Sequence, residues 1–298
     1  YTTNLLRPYP GLQSIAENAT KFYDTYHSIQ LSLTRRLRDN VSFVLNYTRG
    51  ISLKGNTGLI QRYTLQNGAL VLRSDEAAYE ALNSTLDVIP NFLKANITWF
   101  APGITGRGGF LHQLTKDWQI SSVLTVQSGA AYTPTYSYQS NGSNVNITGS
   151  PDFGGMDVLG SGLGSGCTGN RLNGFNVLAI TGPLPGSVEM ESGRYPLRYC
   201  PTAIPDLSVV RRFHFWKFQE SRTFEFRTDI FNAVNAEFVT GRQLTATFNN
   251  PTSMTLENPE YSGSTINSGR SLPENAGFGA ATAANAQRTL QLEVRIGW

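Results

Sequence analysis

Long apolar runs, charge, cysteine and histidine are all scarce in this sequence. No stretch approaches the roughly 18 consecutive apolar residues of a membrane-spanning helix, so a helical membrane protein is excluded. Only 15% of residues are charged, and 24 Lys and Arg oppose 21 Asp and Glu without long blocks of one sign. An ordinary soluble domain carries about 25% charge, and the even scatter excludes the basic stripe of a nucleic-acid-binding protein. The 3 histidines, His27, His112 and His214, share no i,i+4 spacing and have no adjacent cysteine or carboxylate cluster. No metal site is expected. Tyr1 follows no initiator Met and no signal peptide, and the chain is therefore expected to be an internal piece of something longer.

Aromatic residues and glycine are plentiful. With 16 Phe, 13 Tyr, 4 Trp, 29 Gly and a 40% hydrophobic fraction over 298 residues, disorder is excluded, and a glycine-rich, weakly charged β protein remains. Cys167 and Cys200 both fall in Gly/Ser/Pro-rich loop sequence. Their even number suits one loop-closing disulfide in an oxidising compartment, with two buried free thiols as the alternative.

Period-two alternation is clearest at the end of the chain, where Leu290, Leu292, Val294, Ile296 and Trp298 alternate with Gln291, Glu293, Arg295 and Gly297. The same pattern places Ile29, Leu31 and Leu33 opposite Gln30, Ser32 and Thr34. After an Arg38-Asp39-Asn40 turn it places Val41, Phe43, Leu45 and Tyr47 opposite Ser42, Asn46 and Thr48. These two segments read as a hairpin. Further strands are expected over 91–100, 118–128, 204–215 and 222–231. The total is about seven strands of the length that crosses a bilayer when tilted.

The connections alternate too. Residues 38–40, 101–117 and 216–221 are short links, whereas 49–90, 129–203 and 232–287 are long and rich in Gly, Ser, Asn and Thr. Such long loops are uncommon in compact domains and usually functional. Short turns at one end, long loops at the other and strands with one polar face describe an all-β antiparallel transmembrane barrel, with short periplasmic turns and long extracellular loops. The apolar face would meet outer-membrane lipid and the polar face water, and every strand edge must find a partner. Gln30, Asn46, Lys94, Asn96, Gln119, Gln127, Glu225, Arg227, Asp229, Gln291, Glu293 and Arg295 are the expected lumen-facing wall, available for cross-strand pairs or for contact with a plug.

Arg211 tests this register. The odd register of 204–215 directs Arg211 outward among Leu207, Val209 and Phe213, whereas the even register would direct Asp206, Arg212 and His214 outward. An outward arginine costs about 2–4 kcal/mol at the bilayer midplane and about 0–1 near an interface. Arg211 is therefore expected to snorkel toward the periplasmic headgroups, with Phe213 and Phe215 in an aromatic girdle. Seven is an odd number, while bacterial single-chain barrels have even strand counts, so further strands are expected upstream of Tyr1.

Several segments resemble a known family. Arg7-Pro8-Tyr9-Pro10-Gly11, Tyr26 to Arg36 and Phe43 to Thr48 resemble the middle of the barrel in Oar-like TonB-dependent transporters of the carboxypeptidase-regulatory-like type. Asp117-Trp118-Gln119-Ile120 with Gln127-Ser128-Gly129 resembles the next part of that barrel. Pro205 to Ser208, Phe224 to Arg227, Asp229 to Asn232 and Asn235 resemble its penultimate hairpin, and Arg288 to Trp298 its last strand. The resemblance implies a barrel of about 22 strands filled by a plug. It would import a ligand with energy from the TonB complex, which acts through the plug. The sequence departs from that pattern in having no plug, TonB box or regulatory-like domain, and in ending on Trp298, where Phe is commoner. Leu290, Leu292, Val294, Ile296 and Trp298 resemble the terminal signal read by the barrel assembly machinery.

No catalytic constellation or cofactor motif is found. Asp152 to Asp157 lacks the following acidic ligand of a calcium loop. Gly160 to Gly169 lacks the Lys-Ser/Thr ending of a phosphate cradle and reads as flexible loop. The Asn-x-Ser/Thr sequons beginning at Asn18, Asn46, Asn83, Asn96, Asn141 and Asn146 are read as barrel composition without glycans, since Asn46 and Asn96 fall on expected lumen-facing positions. Ligand recognition is placed in the long loops. There Tyr132, Tyr136 and Tyr138 alternate on an extension of strand 118–128 and could stack on an oligosaccharide or on aromatic groups of a siderophore; the alternative is plain extension of the barrel above the membrane. The expected function is the barrel-wall portion of a TonB-dependent transporter, with no enzymatic activity. The alternatives are a smaller porin or adhesin barrel, or a secreted β-sandwich that binds glycans.

Overall fold

The alternating segments become one antiparallel meander. The computed structural model describes residues 23–56, 63–66, 69–72, 88–103, 115–140, 143–144, 157–158, 162–168, 174–181, 195–214, 223–248, 256–262, 265–270 and 273–297. Seven strands pair strictly in chain order: β1 (Tyr23–Arg38), β2 (Val41–Asn56), β3 (Asn91–Pro102), β4 (Lys116–Gln127), β5 (Thr202–His214), β6 (Thr223–Phe231) and β7 (Thr289–Gly297). These are the expected strands. β1 and β2 run further than their alternation indicates, because a register shift between His27 and Ser28 inserts Ile51 as an extra residue and resets the faces. The β1–β2 turn carries positive φ at Asp39 (51°) and Asn40 (62°), the left-handed pair that a two-residue hairpin needs. Arg35 steadies the turn with a 3.2 Å contact to the Asp39 carboxylate.

Register confirms which residues share a face. Ser42, Thr98, Ser121, Ser208, Asp229 and Gln291 are successive partners from β2 to β7, forming one polar row. The adjacent row, Val41, Trp99, Ile120, Val209, Thr228 and Leu292, lies on the other face and is largely apolar. That apolar face is exposed: Leu31 is 61% accessible, Leu292 61% and Ile296 66%. A β-sandwich buries such a face against a second sheet, so the arrangement is the reverse of the soluble alternative. Arg211 pairs with Trp118 and with Phe226, on the apolar face where the odd register places it. Phe215 and Trp298 lie outside the described residues. Among the described residues no helix is long and apolar enough to cross a membrane, which is silent about strands.

The buried core lies in the long connections. Tyr132, Phe175, Ile180, Leu197, Ala246, Phe248 and Phe278 pack into one cluster. All come from 129–203 or 232–287, so these two connections fold on each other into a module at the end of the sheet opposite the short turns. Short strands tie it together: Ala131–Tyr132 pairs with Leu197–Arg198, Thr135–Ser140 runs parallel to Thr245–Phe248, and Val239–Arg242 pairs with Ala281–Ala284. This corrects the expectation that the tyrosines at 132, 136 and 138 ride on a continuous extension of β4. The seven-stranded ladder ends at Gln127; Ala131–Tyr132 pairs in a separate two-stranded sheet, and the next segment, from Thr135, finds its partner in the other long connection.

Candidate functional site

The polar face of the sheet is the first candidate. Asn46, Lys94, Asn96, Gln119 and Gln127 all lie on the polar face of β2, β3 and β4, since Asn46 pairs with Lys94, Asn96 with Val44 and Val123, and Gln127 with Phe92 and Thr202. Gln30 joins them opposite Thr48, and Ser32 donates a 2.9 Å hydrogen bond to the Asn46 side-chain oxygen Oδ1. Charge concentrates on β5, β6 and β7. Arg212 meets Glu225 at 2.7 Å, Arg227 meets Asp229 at 2.9 Å and Arg295 meets Glu293 at 2.6 Å. The register puts Glu225 between Arg212 and Arg295, and Arg227 opposite Glu293, so charges alternate in sign along and across the strands.

Alternation of this kind has a physical cause. Like charges directly opposite each other on neighbouring strands destabilise a sheet, while opposite charges help by about 0.2–1 kcal/mol. The curved polar face encloses an open recess of about 470 Å³, lined by Asn96, Gln119, Asp206, Arg212, Glu225 and Arg295 among others. Such a surface presents carboxylates, guanidinium groups and amides to water, and it can hydrogen-bond a polar ligand or a polar domain seated inside. Among the described residues no group of His, Cys, Asp and Glu is arranged to hold a metal ion.

The outer loop module is the second candidate, and it changes the reading of the loop aromatics. Tyr132 is only 4% exposed. Its hydroxyl donates to the Gly166 carbonyl at 2.9 Å, and its ring lies 4.5 Å from that of Tyr199 and 6.2 Å from that of Phe175. Tyr132 is thus a core residue of the module, and no ligand can stack on it. Tyr136 is half-buried against the same cluster. The side chain of Tyr138 lies outside the described residues. Burial, opposed by the nearby Arg242 charge, raises the Tyr132 hydroxyl to about 12.

Arg242 is itself buried, its pKa lowered by that burial, and it donates to the Gly279 carbonyl at 2.9 Å. Cys167 and Cys200 form a disulfide that joins the segment 162–168 to the chain entering β5. The described part of the glycine-rich run is tied to its surroundings at Gly166 and at the Cys167 disulfide. Gly166 adopts φ +85° under the Tyr132 hydroxyl and the Arg198 backbone, where a Cβ would lie 2.6 Å from the hydroxyl oxygen.

Two polar knots were not anticipated as structural. Asn232 and Asn235 both have φ 52°, ending β6 in a tight turn. The Asn232 N–H donates to Asp206 at 2.8 Å, its side-chain amide donates to the Ala236 carbonyl at 2.8 Å, and the Arg288 N–H donates to the Asn235 side-chain oxygen at 3.0 Å. The Asp229-to-Asn235 stretch therefore locks β5, β6 and the start of β7 together. At the same end of β3, the Asn91 side-chain oxygen accepts from Tyr47 (2.9 Å) and Arg49 (2.6 Å), and its amide donates to Ser128 (2.9 Å). An asparagine repeated near strand ends was the available signal for both.

Comparison with known proteins agrees with this geometry. A family model for an outer membrane beta barrel domain matches residues 1–291. No curated protein and no solved structure matches the chain. With seven meandering strands, an exposed apolar face and a charged polar face behind a family match over nearly its whole length, the chain belongs to the outer membrane beta-barrel domain family and resides in the bacterial outer membrane, its apolar face in lipid.

Proposed function

We propose that the chain is part of the wall of a TonB-dependent outer-membrane transporter of the Oar-like type, in a barrel of about 22 strands that surrounds a plug. The observation that carries this reading is an open seven-stranded sheet whose inner face is ionised. Among the described residues no pairing joins β1 to β7. Small barrels of about eight strands fill their interior with side chains. Ionised arginines and carboxylates need water or polar partners, so the ladder on β5 to β7 suits a wide lumen. The polar wall would then face the plug, and the terminal residues Leu290, Leu292, Val294 and Ile296 would be read by the assembly machinery. The outer loop module would meet the extracellular ligand, an oligosaccharide or a siderophore. The chain would have no enzymatic activity.

Uptake by the full-length protein tests this. Accumulation of its ligand, chosen from a panel of siderophores and oligosaccharides, is expected to stop when TonB is deleted or the proton gradient is collapsed. Uptake that persists without TonB would instead favour a passive pore, and cell attachment without uptake an adhesin.

A further inference from the structure

We propose that the outer end of the polar wall holds a binding site for an amine-bearing oligosaccharide, with a protonated amino group between the Asp206 carboxylate and the Phe231 ring. The inference rests on the transporter reading, because it names the class of ligand that the wall would pass inward.

Three observations meet where β5 and β6 approach the long connections. First, Phe231 ends β6 on the face that carries Glu225, Arg227 and Asp229, which it follows at period two. It is 45% exposed. That face is turned away from lipid, so neither lipid contact nor a packed core accounts for an open ring there. Second, the register that pairs Leu207 with Ile230 brings Asp206 beside Phe231, and the Asn232 N–H fixes the Asp206 Oδ1 at 2.8 Å. Among the described residues, Arg212, Arg227 and Arg295 are paired with Glu225, Asp229 and Glu293, and no cationic side chain pairs with Asp206. Lys94 is separated from it by β4 and does not line the recess. Third, Asp206 and Phe231 both line the recess of about 470 Å³, a size within the range of about 300–1,000 Å³ typical of small-molecule sites.

Charge selects the occupant. A carboxylate beside an aromatic face favours an organic cation, the carboxylate through its charge and the ring through its quadrupole. An anion is disfavoured, because the three arginines are already neutralised by carboxylates and Asp206 adds a further negative charge. The same recess offers amides at Asn96 and Gln119 and hydroxyls at Thr98 and Ser121, groups that both donate to and accept from sugar hydroxyls. An amino sugar uses the carboxylate, the ring and the amides together. A neutral sugar leaves the Asp206 charge unanswered, and an anionic iron complex is repelled by it. Phe231 is the last residue before the connection 232–287, so the site lies at the end of the wall that meets the outer module.

The test uses the full-length protein in mild detergent and two probes of one backbone, the β-1,4 trimer of glucosamine and its fully N-acetylated form, titrated calorimetrically at a pH where the free amines are protonated. Wild type is expected to bind the amine trimer about tenfold more tightly than the acetylated one, with the preference shrinking at high salt. Asp206→Asn keeps an oxygen for the Asn232 N–H and removes the charge, so it is expected to abolish the preference. Phe231→Leu keeps an apolar side chain without the ring and is expected to weaken amine binding about threefold to tenfold. Heat-modifiable gel migration verifies that each variant is folded. Equal affinity of wild type for the two trimers, no binding of either, or an undiminished preference in Asp206→Asn would overturn the proposal. Uptake that proves independent of TonB would instead count against the transporter reading and leave this binding preference standing, so the two failures are distinguishable.

Discussion

Single residues in the outer module are constrained by contacts that their own neighbourhood in the sequence does not reveal. Gly129 ends the Gln127-Ser128-Gly129 run, and the Tyr199 carbonyl passes so close that a Cβ there would lie 1.6 Å from its oxygen. The Tyr199 N–H donates to the Ala130 carbonyl at 2.9 Å, which holds the two segments at that distance. Gly129→Ala is therefore expected to destabilise the protein by about 2–4 kcal/mol, read as a lower denaturant midpoint in detergent. Tyr132→Phe removes only the bond to Gly166. Its expected cost is about 1 kcal/mol, measured by the protease resistance of the loops. The pH dependence has a definite sign. Tyr132 is raised from its ordinary 10.0 to about 12, so its folded form holds the proton more tightly than the unfolded form does. Its contribution is complete below about pH 10 and is lost as pH rises from there through about 12. Tyr132→Phe should remove that alkaline component, seen by comparing loop proteolysis in the two proteins across this range.

Elements act through register and through cross-links. The alternating charges on β5, β6 and β7 stiffen the wall, and Arg212 is half-exposed, so solvent screens its pair with Glu225. A double-mutant cycle with Arg212→Gln and Glu225→Gln should give a coupling of about 0.5–1 kcal/mol, shrinking at high salt. The Cys167–Cys200 bond acts elsewhere. It spans a sequence separation of 33 residues, and closing a loop of that size removes about 3–4 kcal/mol of unfolded-state freedom. Cys167→Ser with Cys200→Ser is expected to make the outer module sensitive to protease while β1 to β7 stay resistant. Equal cleavage of wild type and variant would show that the tyrosine cluster holds the module without the bond.

At the scale of the whole molecule, the sheet ends on β1 and β7, and among the described residues no further strand pairs with either edge. Unpaired edges in lipid are prohibitive and in water they aggregate. Residues 1–298 produced alone should therefore give no heat-modifiable monomer, and a stable monomeric barrel from this segment would count against a larger barrel. The seven strands, and which side chains share a face from β2 to β7, were legible in the sequence. Leu290 to Ile296 and Gln291 to Arg295 needed only period two, because lipid on one side and water on the other impose that alternation on each strand by itself. Even Arg211 could be placed, because the other register would turn three polar side chains outward. The fate of the long connections was not legible. Tyr132 looks like a ligand aromatic until Leu197 and Phe278 close over it, and the Thr135–Thr245 contact joins residues 110 apart. The sequence by itself determined the wall, because each strand answers to its local solvents. Only the tertiary structure decided the outer module, because its burial comes from pairings between distant segments that leave no periodic trace.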